Sequence, residues 1–354
     1  MTSSSLAKPV VLGLLIAASP ATAGGAGDGA PEVRVSVNEK DRRVDVFVAG
    51  QPFTSYIWPQ RLKKPVLYPL RTPSGSIVTR GFPLDPRPGE RVDHPHHVGL
   101  WMNYGDVSGV DFWNNSDTLP AEQQAKMGTI VHRGVTRTAS GKGTGELEVT
   151  ADWMMPDGKP ALQEKTRFVF RAEPEARIID RITTLTALDK RVTFTDNKEG
   201  VIGMRVRREL EHPADKPEVF TDASGKPTAV PVLDNKGVTG MYRSSEGKTG
   251  EAVWGTRGRW VSLTGKVGDE TETIEMLDHP KNPGFPTYWH ARGYGLFAAN
   301  PLGQKALSNG KDELNFALEP KQSTVFRHRI VLRSRATPAE ESEADYKRFV
   351  TEVP

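Results

Sequence analysis

Three of the chain's eight histidines fall within four positions, in Asp93-His94-Pro95-His96-His97. Imidazole has an ordinary pKa of about 6.5, which suits proton transfer near neutral pH. The segment runs on through Gly99, Trp101, Asn103, Asp111 and Trp113 to Asp117. A flat indole suits the apolar face of a sugar, while amide and carboxylate groups bind hydroxyls. The stretch therefore predicts a small-molecule floor in which Trp101 and Trp113 stack a sugar and Asn103 and Asp111 hold its hydroxyls. A second cluster, Asp278-His279-Pro280-Lys281-Asn282-Pro283, is followed by Tyr288-Trp289-His290. Asp278 beside His279 offers a carboxylate that orients an imidazole, the way a general acid/base near neutral pH is tuned. An acid/base pair is expected from His94, His96 or His97 on one side and Asp278, His279 or His290 on the other. His132, Glu199, Arg205, Asn282 and Trp289 are the remaining substrate-binding candidates. Arg207 and Arg208 read as a solvated or ion-paired face.

These residues permit three functions. The first is a carbohydrate-active enzyme of hydrolase, lyase or epimerase type, working by His/Asp proton transfer in a Trp-lined pocket without a cofactor. The second is a zinc or copper protein. His94 and His96 point the same way in an extended chain, and His290 or His132 would complete a three-nitrogen site. The third is a carbohydrate-binding protein without catalysis. The expected partner is a small molecule or oligosaccharide.

The elements that must position these groups are strands. Val33, Val35 and Val37 alternate with polar residues, Glu39-Lys40-Asp41 turns the chain, and Val44, Val46 and Val48 alternate again. That is a hairpin pattern. Further strands are predicted at residues 147–153, 167–171, 177–188, 201–210, 260–264, 273–277, 314–318 and 325–333. If residues 98–104 form a strand, Val98, Leu100, Met102 and Tyr104 share a core face. His97, Gly99, Trp101 and Asn103 then share the other. Helical signals are confined to residues 121–126 and to a C-terminal segment that begins at Thr337-Pro338. Many strands, few helices and no linker predict an all-β protein, a large antiparallel sandwich. The expected layout is a single domain over residues 32–335 with a helical tail at 336–354.

Composition narrows the field. The 354 residues include no Cys, which excludes disulfides, Cys-ligated metals and thiol nucleophiles. Lys and Arg (47) nearly balance Asp and Glu (44), leaving a net charge of +3 and no basic block of the kind a nucleic-acid binder carries. The Gly247-Lys248-Thr249 triplet lacks the upstream glycine of a P-loop, and no G-x-S-x-G or H-E-x-x-H sequence occurs. Residues 1–23 read as an export signal: Lys8, an apolar run from Pro9 to Ala18, and Ala21-Thr22-Ala23 as the cleavage site. A flexible lead-in at 24–31 follows. The expected location is periplasmic or secreted, with no membrane span.

The Asp93–Trp113 stretch, with Asp278-His279-Pro280-Lys281-Asn282-Pro283 and Trp289-His290, resembles the bacterial PmoA-like family of unknown function (DUF6807-type). The resemblance runs from about Val33 to Arg333 and includes Thr72-Pro73-Ser74-Gly75 and Gly81-Phe82-Pro83. The family's label implies a methane-oxidising membrane subunit, whereas this chain has no apolar run after residue 23 long enough to span a bilayer. More weakly, the layout is similar to the galactose-mutarotase-like supersandwich. That resemblance implies sugar binding and acid/base chemistry by His with a carboxylate.

Overall fold

Alternating valines build the first hairpin as the sequence predicts. Strands Glu32–Asn38 and Arg43–Val48 pair antiparallel, with Val33 opposite Val48, Val35 opposite Val46 and Val37 opposite Val44. Val33, Val44, Val46 and Val48 face inward and are buried. In the computed structural model, which describes residues 1 and 29–354, this hairpin lies in one of two large antiparallel sheets. The expected export segment and residues 24–28 of the lead-in lie outside the described residues.

The first sheet has nine strands. Their spatial order is Tyr288–Ala291, Leu296–Asn300, Gly200–Arg205, Leu100–Tyr104, Val66–Leu67, Gln51–Ile57, Arg43–Val48, Glu32–Asn38 and Gly141–Lys142. The second has eight, in the order Met241–Ser244, Trp260–Val267, Glu270–Asp278, Ser323–Arg333, Ala176–Ala187, Pro160–Ala172, Thr144–Met154 and Thr129–Ala139. A small two-stranded sheet pairs Val192–Phe194 with Phe316–Leu318. The inner faces of the large sheets meet in a core that includes Leu100, Ile202, Met204, Phe168, Ile274 and Ile330. This is the expected all-β sandwich.

Among the described residues helices are few, at Ala121–Gln124, Gln304–Leu307 and Ala339–Glu352. The last lays Tyr346 and Phe349 against Trp260, Leu277 and Val331 on the outer face of the eight-stranded sheet. Among the described residues no helix is long and apolar enough to cross a membrane.

The first sheet is covered on its outer face as well. Trp101, Trp113, Leu296, Ala298 and Val98 form a separate apolar cluster there, packed by Leu62, Tyr68, Leu84 and Tyr294. Two expectations are corrected at this point. The strand begins at Leu100, because Gly99 adopts φ +60 and an added Cβ would lie 2.2 Å from the Leu67 carbonyl oxygen. That turn sends Val98 to the outer cluster, so only Leu100, Met102 and Tyr104 face inward. The strand predicted over 201–210 stops at Arg205, and a 3-10 turn follows at Arg208–Leu210.

Charge buried between the eight-stranded sheet and the C-terminal helix is paired. Asp180 and Arg329 face each other on neighbouring strands, with Arg329 Nε 2.5 Å and Nη2 2.9 Å from the two carboxylate oxygens. Arg329 also reaches Glu352 at 2.7 Å, tying the C-terminal helix to the sheet. Replacing one member of a buried pair leaves the other uncompensated, which costs about 3–5 kcal/mol. Arg329→Met is expected to lose about 3 kcal/mol on that basis in urea unfolding. Arg133→Met, which removes an exposed pair with Asp152, is expected to lose less than about 1 kcal/mol.

Candidate functional site

The outer face of the nine-stranded sheet carries a cross-strand row set by register. His290 lies opposite Ala298, Ala298 opposite Gly203, and Gly203 opposite Trp101. The small residues in the middle leave room for the indoles. A Cβ on Gly203 would sit 2.7 Å from the Trp101 ring and 3.1 Å from Trp113. Above this row lies the histidine loop.

The loop is held by Arg80, whose side chain is 1% exposed. Its Nη1 donates to the carbonyls of Arg91 (3.1 Å) and Asp93 (2.8 Å) and to Asp93 Oδ1 (2.8 Å). Its Nη2 donates to the carbonyls of His94 (2.9 Å) and His97 (3.1 Å). Arg205 adds a second guanidinium to Asp93 Oδ1 at 2.6 Å. Burial opposes ionisation of Asp93, but Arg205, the hydrogen bond from His94 and Arg80 override it and hold the carboxyl well below its usual range.

An ionised Asp93 only accepts hydrogen bonds, so the 2.7 Å contact between its Oδ2 and His94 Nδ1 places the ring proton on Nδ1. Nε2 of His94 is left as the free nitrogen. The residue sits at φ +43, uncommon for anything but glycine. Its side chain is 41% exposed, which makes it the solvent-facing member of the cluster. Four rings form a continuous stack here. Tyr294 lies 5.0 Å from His94, His94 lies 4.8 Å from His97, and His97 lies 5.2 Å from Trp101.

His97 is buried. Its Nδ1 accepts from Arg205 at 3.4 Å, and burial pushes its imidazole well below its ordinary pKa. His96 is likewise pushed down by burial, to about 2.

Across the row, His290 donates from Nδ1 to the Lys198 carbonyl at 3.0 Å, which leaves Nε2 as an acceptor. Burial lowers its pKa to about 4. Glu199 Oε2 is 3.8 Å from the same Nδ1. Burial raises the Glu199 carboxyl, against the opposing pull of Lys198 and of His94. Gly105 packs directly on Glu199, donating to its carbonyl at 2.7 Å. His94 also acts electrostatically on His290. His94, Glu199 and His290 thus share one electrostatic neighbourhood.

The structure separates other predicted members from this neighbourhood. Asp278 and His279 lie at the end of a strand of the opposite sheet. The Asp278 carboxylate accepts from Asn282 Nδ2 (2.7 Å) and Thr287 N (2.9 Å), and it lies 3.6 Å from His328. His279 accepts from Lys281 N at 3.2 Å and packs 5.1 Å from Phe349 of the C-terminal helix. Asn282 joins Asp278 to the backbone of Arg327. The C-terminal helix covers His279. Trp289 points into the inter-sheet core, because alternation puts it opposite to His290.

Trp101 and Trp113 are fully buried and form the layer beneath the histidines, so neither offers a ring face to a sugar. Asn103 is buried too, donating to the Phe112 carbonyl at 2.7 Å. Arg205 is fully buried and positions Asp93 and His97. Asp111 caps its own turn, accepting from Trp113 N (2.7 Å) and Asn114 N (3.0 Å). His132 lies on the other sheet against Tyr56 (3.1 Å) and Trp58. Among the described residues, no group of three or more His, Asp or Glu side chains is placed to hold a metal ion. The set His94, His96 and His290 is therefore not gathered as ligands, and Asp93 occupies Nδ1 of His94.

Sequence reading missed Arg80, Asp93, Lys64 and Tyr294. The Asp93-His94 adjacency was the available signal for Asp93. Nothing in the sequence marks Arg80 or Tyr294, since both act across long chain separations.

A family model described as "Family of unknown function (DUF6807)" matches residues 43–347. That description carries no methane-oxidising activity. No curated protein matches the chain. Among solved structures, a GH36 alpha-galactosidase from Geobacillus stearothermophilus is 11% identical at TM-score 0.40, covering 86% of this chain and 41% of its own. A galactose mutarotase-like protein from Clostridium acetobutylicum is 10% identical at TM-score 0.37, covering 87% of this chain and 100% of its own. A galactose 1-epimerase from Lactobacillus acidophilus is 10% identical at TM-score 0.34, covering 86% and 98%. The chain spans about two-fifths of the length of the alpha-galactosidase.

The displaced Asp278 has its own consequence. Burial raises its carboxyl from 3.8 to about 7 in the folded chain, outweighing its hydrogen bonds from Asn282 and Thr287. The folded state therefore binds this proton more tightly than the unfolded state. The contribution is complete below about pH 4 and is lost as pH rises through about 7. Thermal unfolding from pH 5 to pH 8 is expected to show a falling midpoint, and Asp278→Asn to flatten that slope whatever its absolute cost. An unchanged slope in the variant contradicts the assignment.

Proposed function

We propose, for a chain that belongs to the DUF6807 family of unknown function, that it is an exported carbohydrate-active enzyme whose acid/base chemistry runs through His94. The observation that carries this reading is the Asp93–His94 pair. Two buried guanidiniums fix the carboxylate, the carboxylate fixes the tautomer, and the exposed imidazole presents Nε2 outward. Export rests on the sequence of residues 1–23.

The pair is matched by His290 and Glu199 across the row. Burial keeps His290 neutral at pH 7, which leaves its Nε2 as the acceptor facing the row. Burial also favours the protonated form of Glu199. Groups whose surroundings push them towards opposite protonation states divide the acid and base roles between them. Asp93 is committed to two guanidiniums, and Asp111 is committed to its own turn. The proton-transfer step therefore falls to the imidazoles and Glu199, which favours a histidine-based lyase, epimerase or hydrolase over glycoside cleavage by a pair of free carboxylates. The half-buried Tyr294 ring, stacked on His94, replaces the tryptophans as the aromatic surface beside the substrate.

The test is an NMR screen of mono- and oligosaccharides and their 3-oxo forms with wild type and His94→Gln. Product formation is expected in wild type and to fall by about 10²–10⁴-fold in the variant, with binding retained. Binding without any product assigns the chain to non-catalytic carbohydrate recognition. Turnover unaffected by His94→Gln removes His94 from the chemistry.

A further inference from the structure

Among the described residues, every buried arginine has a carboxylate within 4 Å, from Arg80 with Asp93 to Arg333 with Glu275. Lys64 is buried to the same degree, at 5% exposure, and has none. Its ammonium makes one hydrogen bond, to the His96 carbonyl at 2.7 Å, and lies 5.4 Å over the Trp101 ring. An ammonium has three protons to donate, and a buried charge without a partner is costly. The carboxylate that acts on it is Asp111, whose oxygens are taken by Trp113 N, Asn114 N and Asn114 Nδ2.

Lys64 and His96 line a cavity of about 30 Å³, together with Arg61, Lys63, Asn115 and Ser116. His96 Nε2 is closed to solvent and has no hydrogen-bond partner. The one carboxylate on the lining, Asp117, is exposed, so water and salt screen it. A space of this size takes one or two polar atoms and excludes a sugar ring. It adjoins the proposed reaction centre, since the His96 and His94 rings are 5.7 Å apart.

We infer that this cavity is a subsite for a carboxylate, and that the substrate handled at His94 is an acidic sugar whose carboxylate supplies the counter-charge Lys64 lacks. The inference rests on the sugar-active reading above and adds its substrate class. Burial lowers the Lys64 ammonium to about 7, and a bound anion would draw it back up.

The test measures affinity for D-glucuronate, D-glucose and acetate by calorimetry in wild type, Lys64→Met and Lys64→Arg. Glucuronate is expected to bind wild type at least tenfold more tightly than glucose or acetate. Lys64→Met is expected to erase that preference without changing glucose affinity, and Lys64→Arg to keep part of it. Equal affinities in wild type, or a preference that survives Lys64→Met, overturn the subsite. Because Lys64→Met also removes a buried group from the fold, ¹³C-ε lysine NMR on wild type supplies a second readout. The Lys64 titration midpoint is expected to rise with saturating glucuronate and not with glucose, and an unmoved midpoint overturns the inference. Lys64-dependent glucuronate binding with no product upholds the subsite while removing the catalytic reading. Turnover of neutral sugars with no selectivity for acidic ones does the reverse.

Discussion

One guanidinium organises the site. Arg80 donates to four carbonyls and one carboxylate of the segment from Arg91 to His97. That segment contains Pro95 and, past the single bridge from Arg91 to Phe220, lies outside the sheets, so most of its carbonyls have no ladder partner. Left unmet in the interior, each would cost about 1–3 kcal/mol. The left-handed backbone at His94 costs about 1–3 kcal/mol of the same kind. Hydrogen bonds from a charged donor contribute about 1.5–3 kcal/mol each, so the five from Arg80 outweigh that strain. A lysine could not replace it, because a compact ammonium cannot reach five acceptors spread around a planar fork.

The same arginine begins a chain of charge that runs inward. Asp93 is shared by Arg80 and Arg205, and Arg91 and Arg208 converge on Glu211 at 2.7 and 3.0 Å. Such a network adds little net stability, because desolvation offsets most of the attraction. What it does is keep Asp93 ionised, and an ionised Asp93 determines which nitrogen of His94 carries the proton. His290 has no such partner and is left neutral by burial. Two imidazoles of one face thus differ through what lies beneath them, an anchored carboxylate under His94 and a backbone carbonyl against His290.

Strands with one wet face were legible in the sequence, because their side chains alternate. The valine hairpin, Thr144–Met154 and Ala176–Ala187 are examples. Leu296–Asn300 and Tyr288–Ala291 are buried on both faces and show no alternation to read. Gln51–Ile57 carries Pro52, which masks a strand. The tryptophans were visible as residues but not as a layer. Trp101 became a buried floor through Gly203 across the sheet and the covering segment around Leu62 to Leu84, relations that no local window contains. Arg80, Lys64 and Tyr294 escaped for the same reason.

The tripeptide Asp-His-Pro occurs at 93–95 and again at 278–280, and the two copies meet opposite ends. In the first, the carboxylate turns to its own histidine, and the ring, stacked between Tyr294 and His97, stays partly open to solvent with one nitrogen unengaged. In the second, the carboxylate turns inward to Asn282 and Thr287, and the ring is shut against Phe349 with Nε2 closed off from water. The neighbours decide the outcome. Two guanidiniums beneath Asp93 leave its second oxygen for His94, whereas amide donors satisfy Asp278 and the C-terminal helix covers His279. A motif of this kind therefore presents its imidazole to solvent only where the carboxylate is anchored from below and no element covers the ring, and in this chain that arrangement occurs at His94.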